Sequence, residues 1–352
     1  MTGARVAAPT TATPMLRVSA LTKSYSRGTS LLSRFGSGGP STLKALDGVD
    51  LELRQGEILA LVGESGSGKS TLAKILVGST TATSGEVSYR GAEPTTRRDR
   101  ESSRRVQMVF QDPYSSLNPR LPVGRMLAEL LLLHKIVPRR EVRAESIRLL
   151  NLVGLEEDVL GAYPSQFSGG QRQRLAIARA IAVRPDVLIA DEPVSALDVS
   201  VQATILDLFT SLRAELGLSI LFVAHNLAVV QHLSDRVAVM YLGRIVELAD
   251  TAEIFARPRH PYTRALIDSI PRMRETSVND AFELDGEPPS PYDVPAGCRF
   301  HPRCALASEI CFATDPPLLQ IGRQTGAPHE SACLKADELA TIPLPDPAQE
   351  LP

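Results

Sequence analysis

The residues Gly63-Glu64-Ser65-Gly66-Ser67-Gly68-Lys69-Ser70 fit the pattern G-x-x-x-x-G-K-[ST]. That spacing suits a phosphate cradle. The glycines let the backbone turn its N–H groups inward without Cβ clashes, which makes an anion nest. A helix opening at Lys69 adds the positive end of its dipole. Lys69 would place a point charge on the β- and γ-phosphates, and Ser70 would offer a hydroxyl to Mg²⁺. Glu64, Ser65, Ser67 and Thr71 complete the expected ATP-binding set on this loop. An accidental Gly/Ser loop is the bland alternative. The apolar run 58–62 before it and the helical pattern 69–77 after it argue against that.

Two acids carry the second half of the chemistry. The apolar run 187–190 leads into Asp191 and Glu192. Consecutive residues at a strand end point in different directions, so the two carboxylates can serve different partners. Asp191 would hold Mg²⁺, mostly through water. Glu192 would orient or deprotonate an attacking water. A helix N-cap after a strand accounts for one such acid but poorly for a pair.

The elements that must position these groups follow from the hydrophobic pattern. Residues 49–53 alternate with period 2. Continuous apolar runs at 58–62, 106–110, 187–190 and 219–224 suit strands buried on both faces. Helical patterns lie between them at 69–77, 141–153, 170–183 and 200–215. Strands alternating with helices predict an α/β domain with a largely parallel sheet. The segments 237–239 and 244–248 read as a closing hairpin. After Pro258 the Pro content rises and periodicity fades, which predicts a boundary near 250–260. Residues 1–15 read as a disordered tail, 28–41 as a Gly/Ser-rich loop and 341–352 as a frayed end.

Composition bounds the rest. The chain has 352 residues, a formal net charge of −2, 43% hydrophobic and 22% charged residues. That is ordinary for one or two globular domains and excludes nucleic-acid binding driven by bulk positive charge. No apolar run reaches the roughly 18–20 residues that span a bilayer. The acid-free start before Asp47 faintly resembles a transit peptide, but a strand begins almost at once and no secretory apolar segment follows Arg5. The expected location is therefore cytoplasmic. The run 97–105 holds five Arg, but Asp99 and Glu101 break it and no aromatics interleave. It reads as a solvated loop.

Ser168-Gly169-Gly170-Gln171, upstream of the Asp191 strand, resembles the signature sequence of ABC-type ATPases. Phe167 stands where the leading Leu is usual. Other elements follow in the family's order. Tyr25 resembles the adenine-stacking aromatic, and Gln111 the Q-loop glutamine. Ser195-Ala196-Leu197-Asp198 resembles the D-loop, and His225 the switch histidine. The resemblance implies a P-loop ABC ATPase domain over 16–255, with a RecA-like core, an antiparallel β subdomain and a helical subdomain near 112–166. It implies a head-to-tail pair of such domains. Each ATP would lie between one domain's phosphate loop and Ser168, Gly169, Gly170, Gln171 and Asp198 of the other. A helix opening at Gly170 would leave free N–H groups at 168–171 for this contact. Gln111 would join Ser70 and Asp191 at Mg²⁺. Gln111 and His225 would join Glu192 in catalysis.

Three further segments narrow the family. Gln111-Asp112-Pro113-Tyr114-Ser115-Ser116-Leu117-Asn118-Pro119 and Val239-Met240-Tyr241-Leu242-Gly243 resemble the oligopeptide/dipeptide/nickel import subfamily. So does His260-Pro261-Tyr262-Thr263, which opens that group's C-terminal extension, here 256–340. The loop 28–41 and the Pro-Tyr-Ser-Ser wording resemble the second ATPase subunit of such importers. The resemblance implies an ATP hydrolase that energises import of di- or oligopeptides. It would sit peripherally on the cytoplasmic face of the membrane. Implied partners are two transmembrane permease subunits, a second ATPase subunit and an extracytoplasmic solute-binding protein, with no nucleic acid. Nickel, glutathione or sugar cargo stays open, as does a soluble ABC ATPase acting on ribosomes or DNA.

The first 297 residues contain no Cys, and Cys298, Cys304, Cys311 and Cys333 follow within a short span. Four thiolates can close around one tetrahedral metal or one [4Fe–4S] cluster. Similar clusters occur in the extensions of the importer subfamily, so an iron–sulfur cluster is the preferred expectation. Zinc, free thiols and disulfides remain open. The C-x₂-C pairs usual in zinc ribbons are absent.

Overall fold

The computed structural model describes residues 13–26, 42–92, 104–112, 116–270, 282, 284, 286–321 and 328–342. The tail up to residue 12, the loop 28–41, most of the arginine run, residues 113–115 and the last ten residues lie outside these.

Strand β1 (Leu16–Ser26) pairs antiparallel with β2 (Thr42–Leu53). β3 (Ile58–Val62) follows and leads into α1 (Lys69–Leu76). β4 (Ser84–Tyr89) returns to β1 and completes a three-stranded antiparallel sheet. β5 (Val106–Val109) opens the second sheet's far edge. The helices α2 (Val123–Leu133) and α3 (Val142–Leu152) form the helical region, packed through buried Leu127, Leu131, Leu149 and Leu150. Then come α4 (Gly169–Ile181), β6 (Val187–Asp191), α5 (Val199–Leu216) and β7 (Ser219–Ala224). The short α6 (Leu227–Val230) precedes β8 (Arg236–Tyr241) and β9 (Arg244–Asp250).

With β10 (Leu319–Gln320) and β11 (Glu330–Ser331) from the C-terminal extension, the large sheet has the order β10-β11-β9-β8-β3-β7-β6-β5. Its five strands from β8 to β5 run parallel. β3, β6, β7 and β8 are buried at every residue. Layers on both faces explain why these strands read as unbroken apolar runs. The expected hairpin is present as antiparallel β8 and β9.

The C-terminal extension is loop-rich, as its composition predicts, and it packs onto the ATPase domain. After α7 (Thr251–Ala256) and α8 (Pro261–Asp268) come α9 (Glu309–Ala313), β10 (Leu319–Gln320), β11 (Glu330–Ser331) and α10 (Ala336–Leu339). β11 pairs with β9, Ser331 opposite Glu247, so the extension continues the ATPase sheet. Tyr262 and Phe300 join the core, with ring centroids 5.4 Å apart and each 4.7–5.3 Å from Tyr241 on β8. Among the described residues no helix is long and apolar enough to cross a membrane.

Candidate functional site

The phosphate loop runs from the end of β3 to the start of α1. It is fixed by close backbone approach. A Cβ on Gly63 (φ +156°) would lie 2.1 Å from the Met240 carbonyl oxygen. One on Gly68 (φ +114°) would lie 2.5 Å from that of Ala45. Only glycine fits either position. Lys69 is buried, and its ammonium donates to the carbonyls of Gly63 (2.7 Å) and Glu64 (2.9 Å). Burial pulls its pKa down, while Glu192, Asp191 and Glu64 act in the opposite sense. Ser65 and Gly66 are exposed at the loop's crest, and Ser67 is buried beneath it. Ser70 and Thr71 lie in the first turn of α1, both half-buried.

The two acids diverge as their order predicts. Asp191 is buried at the end of β6 and accepts from the Ser70 hydroxyl at 3.0 Å. Burial pushes its carboxyl pKa up, Ser70 opposes this, and Glu192 adds to it. Glu192 has φ +45°, in the left-handed region, with its N–H still bonded to Val223 of β7 at 3.0 Å. That turn sends its carboxylate elsewhere. It accepts from the Gln111 amide at 3.1 Å, and His225 Nδ1 stands 3.5 Å away. Lys69, Ser70, Gln111, Asp191, Glu192 and His225 thus meet at the C-terminal ends of β3, β5, β6 and β7. Hydroxyl, amide and carboxylate oxygens at this point suit Mg²⁺, which takes one or two carboxylates and fills its shell with water and phosphate.

The signature residues form a second cluster. Ser168 is the N-cap of α4, whose first residue is Gly169 rather than Gly170. A capping box binds two of the backbone donors expected to be free. Ser168 Oγ accepts from Gln171 N–H (3.3 Å), and Gln171 Oε1 accepts from Ser168 N–H (3.0 Å). Gly169 and Gly170, in the first turn, have no intrahelical acceptor by geometry. A Cβ on Gly170 would press within 2.6 Å of Val201 on α5, and one on Gly169 would meet Leu197 at 3.5 Å. This edge therefore also carries Asp198, the N-cap position of α5, and the exposed Val199. Ser195 ties it back to the acids by donating to the Glu192 carbonyl at 3.0 Å. Tyr25 stands exposed at the end of β1 with the Lys23 ammonium 4.9 Å from its ring centre.

Sequence reasoning missed the extension's hold on the phosphate loop. The Glu64 N–H donates to the Tyr262 hydroxyl at 2.8 Å. Its carboxylate is gripped by both terminal nitrogens of Arg303, at 2.7 and 3.0 Å. Tyr262 belongs to the His-Pro-Tyr-Thr segment that marks the extension. Arg303 precedes Cys304, but no spacing rule links either residue to a loop some 200 positions earlier.

The four cysteines converge. Cys298, Cys304, Cys311 and Cys333 line one small apolar recess together with His260, Phe300 and His301. All are free thiols. Burial pushes the Cys298 thiol up, that of Cys304 to about 11 and that of Cys333 to about 12. Among the described residues no group of three or more His, Cys, Asp or Glu side chains is arranged to hold a metal ion. The four thiols gather at one recess, but the expected metal site is not supported by their arrangement.

A phosphate loop opening a helix, two acids at the next strand ends and a separately capped Ser-Gly-Gly helix together define an ABC-type ATP hydrolase. Comparison with known proteins agrees. The ABC transporter family model matches residues 46–195, and the model for the oligopeptide/dipeptide transporter C-terminal region matches 246–311. The probable peptide ABC transporter ATP-binding protein y4tS of Sinorhizobium fredii is 45% identical over 95% of this chain and 96% of its own. The dipeptide transport ATP-binding protein DppF of Haemophilus influenzae is 45% identical over 88% and 94%. The oligopeptide transport ATP-binding protein OppF of Escherichia coli is 47% identical over 85% and 90%. Among solved structures, the dimeric post-hydrolysis state of the ATP-binding cassette MJ0796 bound to ADP and Pi matches with a TM-score of 0.58. It is 29% identical, covering 67% of this chain and 99% of that one. This chain belongs to the oligopeptide/dipeptide family of ABC transporter ATP-binding subunits, and it hydrolyses ATP.

Proposed function

We propose that this chain powers the import of di- or oligopeptides by hydrolysing ATP on the cytoplasmic face of a membrane. The observation that carries the cargo class is the extension. It matches the oligopeptide/dipeptide C-terminal region, and it is built into the ATPase core by β11 and Tyr262. ATP binds on the loop 63–71, with Lys69 on the β- and γ-phosphates and Tyr25 against the base. Ser70, Asp191 and Gln111 hold Mg²⁺, which when bound offsets phosphate charge. Glu192, aligned by Gln111 and His225, orients and deprotonates the attacking water. Ser168, Gly169, Gly170, Gln171 and Asp198 complete the site of a second ATPase subunit in a head-to-tail pair. That Ser168 caps a helix of its own, apart in sequence from the phosphate loop, supports this pairing. Two permease subunits and an extracytoplasmic solute-binding protein complete the transporter.

Purification of the tagged chain from its own membranes tests this reading. The expected result is co-purification of two integral-membrane subunits and a second ATPase subunit, with turnover stimulated by peptide-loaded binding protein. Stimulation by nickel, glutathione or sugar instead would overturn the cargo. Fractionation with ribosomes or DNA, without membrane subunits, would overturn the transport role.

The thiol recess supports a finer reading, a [4Fe–4S] cluster held by Cys298, Cys304, Cys311 and Cys333. One tetrahedral zinc needs all four sulfurs at about 2.3 Å from a single point. What supports the cluster is that four free thiols line one recess, and four Cys thiolates are the usual ligand set of a four-iron cluster. Anaerobically purified protein should be brown with broad visible absorption, and any Cys→Ser change should bleach it. A colourless preparation with stoichiometric zinc would overturn the cluster.

A further inference from the structure

Glu64 is the only acid in the phosphate loop 63–70. A carboxylate there repels the polyphosphate that the loop must bind. It stands close enough to act on the charge of Lys69. Yet its side chain is not left to the nucleotide. Arg303 engages both of its oxygens through a fork of two hydrogen bonds, at 2.7 and 3.0 Å, with the Arg303 side chain only 5% exposed. The Tyr262 hydroxyl holds the Glu64 backbone N–H. A second arginine of the extension steadies the same loop from the other side. Arg299 pairs with Asp47 and donates to the Leu242 carbonyl, and the next residue, Gly243, donates its N–H to the Ser67 carbonyl at 2.8 Å. Glu64 is thus fixed at backbone and carboxylate by residues more than 190 positions away.

We propose that Arg303 is a positioning residue for ATP binding: its fork on Glu64 neutralises the phosphate loop's single carboxylate and turns it toward the extension. Polyphosphate then meets a loop whose remaining charge is that of Lys69. A bidentate guanidinium does this better than a point charge, because it fixes the carboxylate's direction as well as its charge. The inference stands on ATP binding alone and is independent of the cargo, so the membrane experiments above neither support nor sink it.

The test is ATP titration of the full chain, with the ATP dependence of its own turnover measured alongside. Arg303→Ala leaves Glu64 unpaired beside the phosphates. Its expected effect is a roughly tenfold rise in both Kd and KM for ATP, with kcat within about twofold of the parent. The removal of Glu64's charge should abolish this sensitivity: Glu64→Gln/Arg303→Ala should bind ATP as Glu64→Gln alone does, within about twofold. Arg303→Lys keeps the charge without the fork, and it should stay within about threefold of the parent. It also serves if the Ala variant does not fold. Unchanged ATP affinity in Arg303→Ala, or a loss that persists in full when Glu64 is Gln, would overturn the proposal. So would an Arg303→Lys variant that is folded but tenfold weaker.

Discussion

At the scale of single residues, the site is organised by how two neighbouring carboxylates part company. Asp191 ends its strand buried and bonded to Ser70, while Glu192 turns through φ +45° to reach Gln111 and His225. A left-handed non-glycine residue costs of order 1–3 kcal/mol and persists only where its surroundings hold it. Here the Val223 carbonyl holds its N–H and Ser195 binds its carbonyl. Glu192→Gln preserves that frame and the Gln111 side of the contact, but removes the proton acceptor. ATP binding should therefore persist while phosphate release falls at least about a hundredfold, as for loss of a general base. Turnover near that of the parent would show that Glu192 is not the base. The types and order of these residues were legible in the sequence because the chemistry demands them at strand ends. The torsion that separates them was not, since it depends on acceptors from β7.

At the scale of elements, the parallel strands announced themselves as unbroken apolar runs because layers cover both of their faces. α4 was read one residue late: glycine-led patterns conceal where a Ser cap begins, and the Gln171 side chain that completes the box looks like a surface residue. The extension is loop-rich with little periodicity, and its β11 lengthens the main sheet at β9. Two-residue strands and isolated core rings leave too little pattern for a period to detect. Tyr262, Leu266, Ile267 and Phe300 are all buried in the core that includes β6, β7 and β8. Each contributes about 1.5–3 kcal/mol. Together they match the roughly 5–15 kcal/mol net stability of a typical domain. A chain ending at residue 256 should therefore fail to fold cooperatively. A soluble fragment with a sharp thermal transition and normal ATP binding would show the extension to be dispensable.

At the scale of the whole molecule, the proposed head-to-tail pairing would have one chain present half of each of two sites. The phosphate loop and its acids form one cluster, and the capped α4 with Asp198 and the exposed Val199 forms a second. In the proposed pair a second ATPase would close over these residues, and an ATP held between two subunits would favour the closed pair by its greater affinity for that state. The near-neutral charge of −2 leaves no bulk field to recruit nucleic acid or an acidic surface. Association must rest on shaped contacts. The family motifs are what suggest this pairing, whereas nothing in the sequence pattern signals the long-range ties to Glu64.

Those ties also set a clock on the birth of the enzyme. Glu64 leaves the ribosome early, but its carboxylate partner is made 239 residues later and the acceptor for its N–H 198 residues later. At roughly 5–20 residues per second, translation separates loop and clasp by about ten to fifty seconds. Throughout that interval the nascent cassette carries a phosphate loop with its acid unshielded. The motor is thus assembled with its fuel port unfinished, and the port is completed only as the last quarter of the chain arrives.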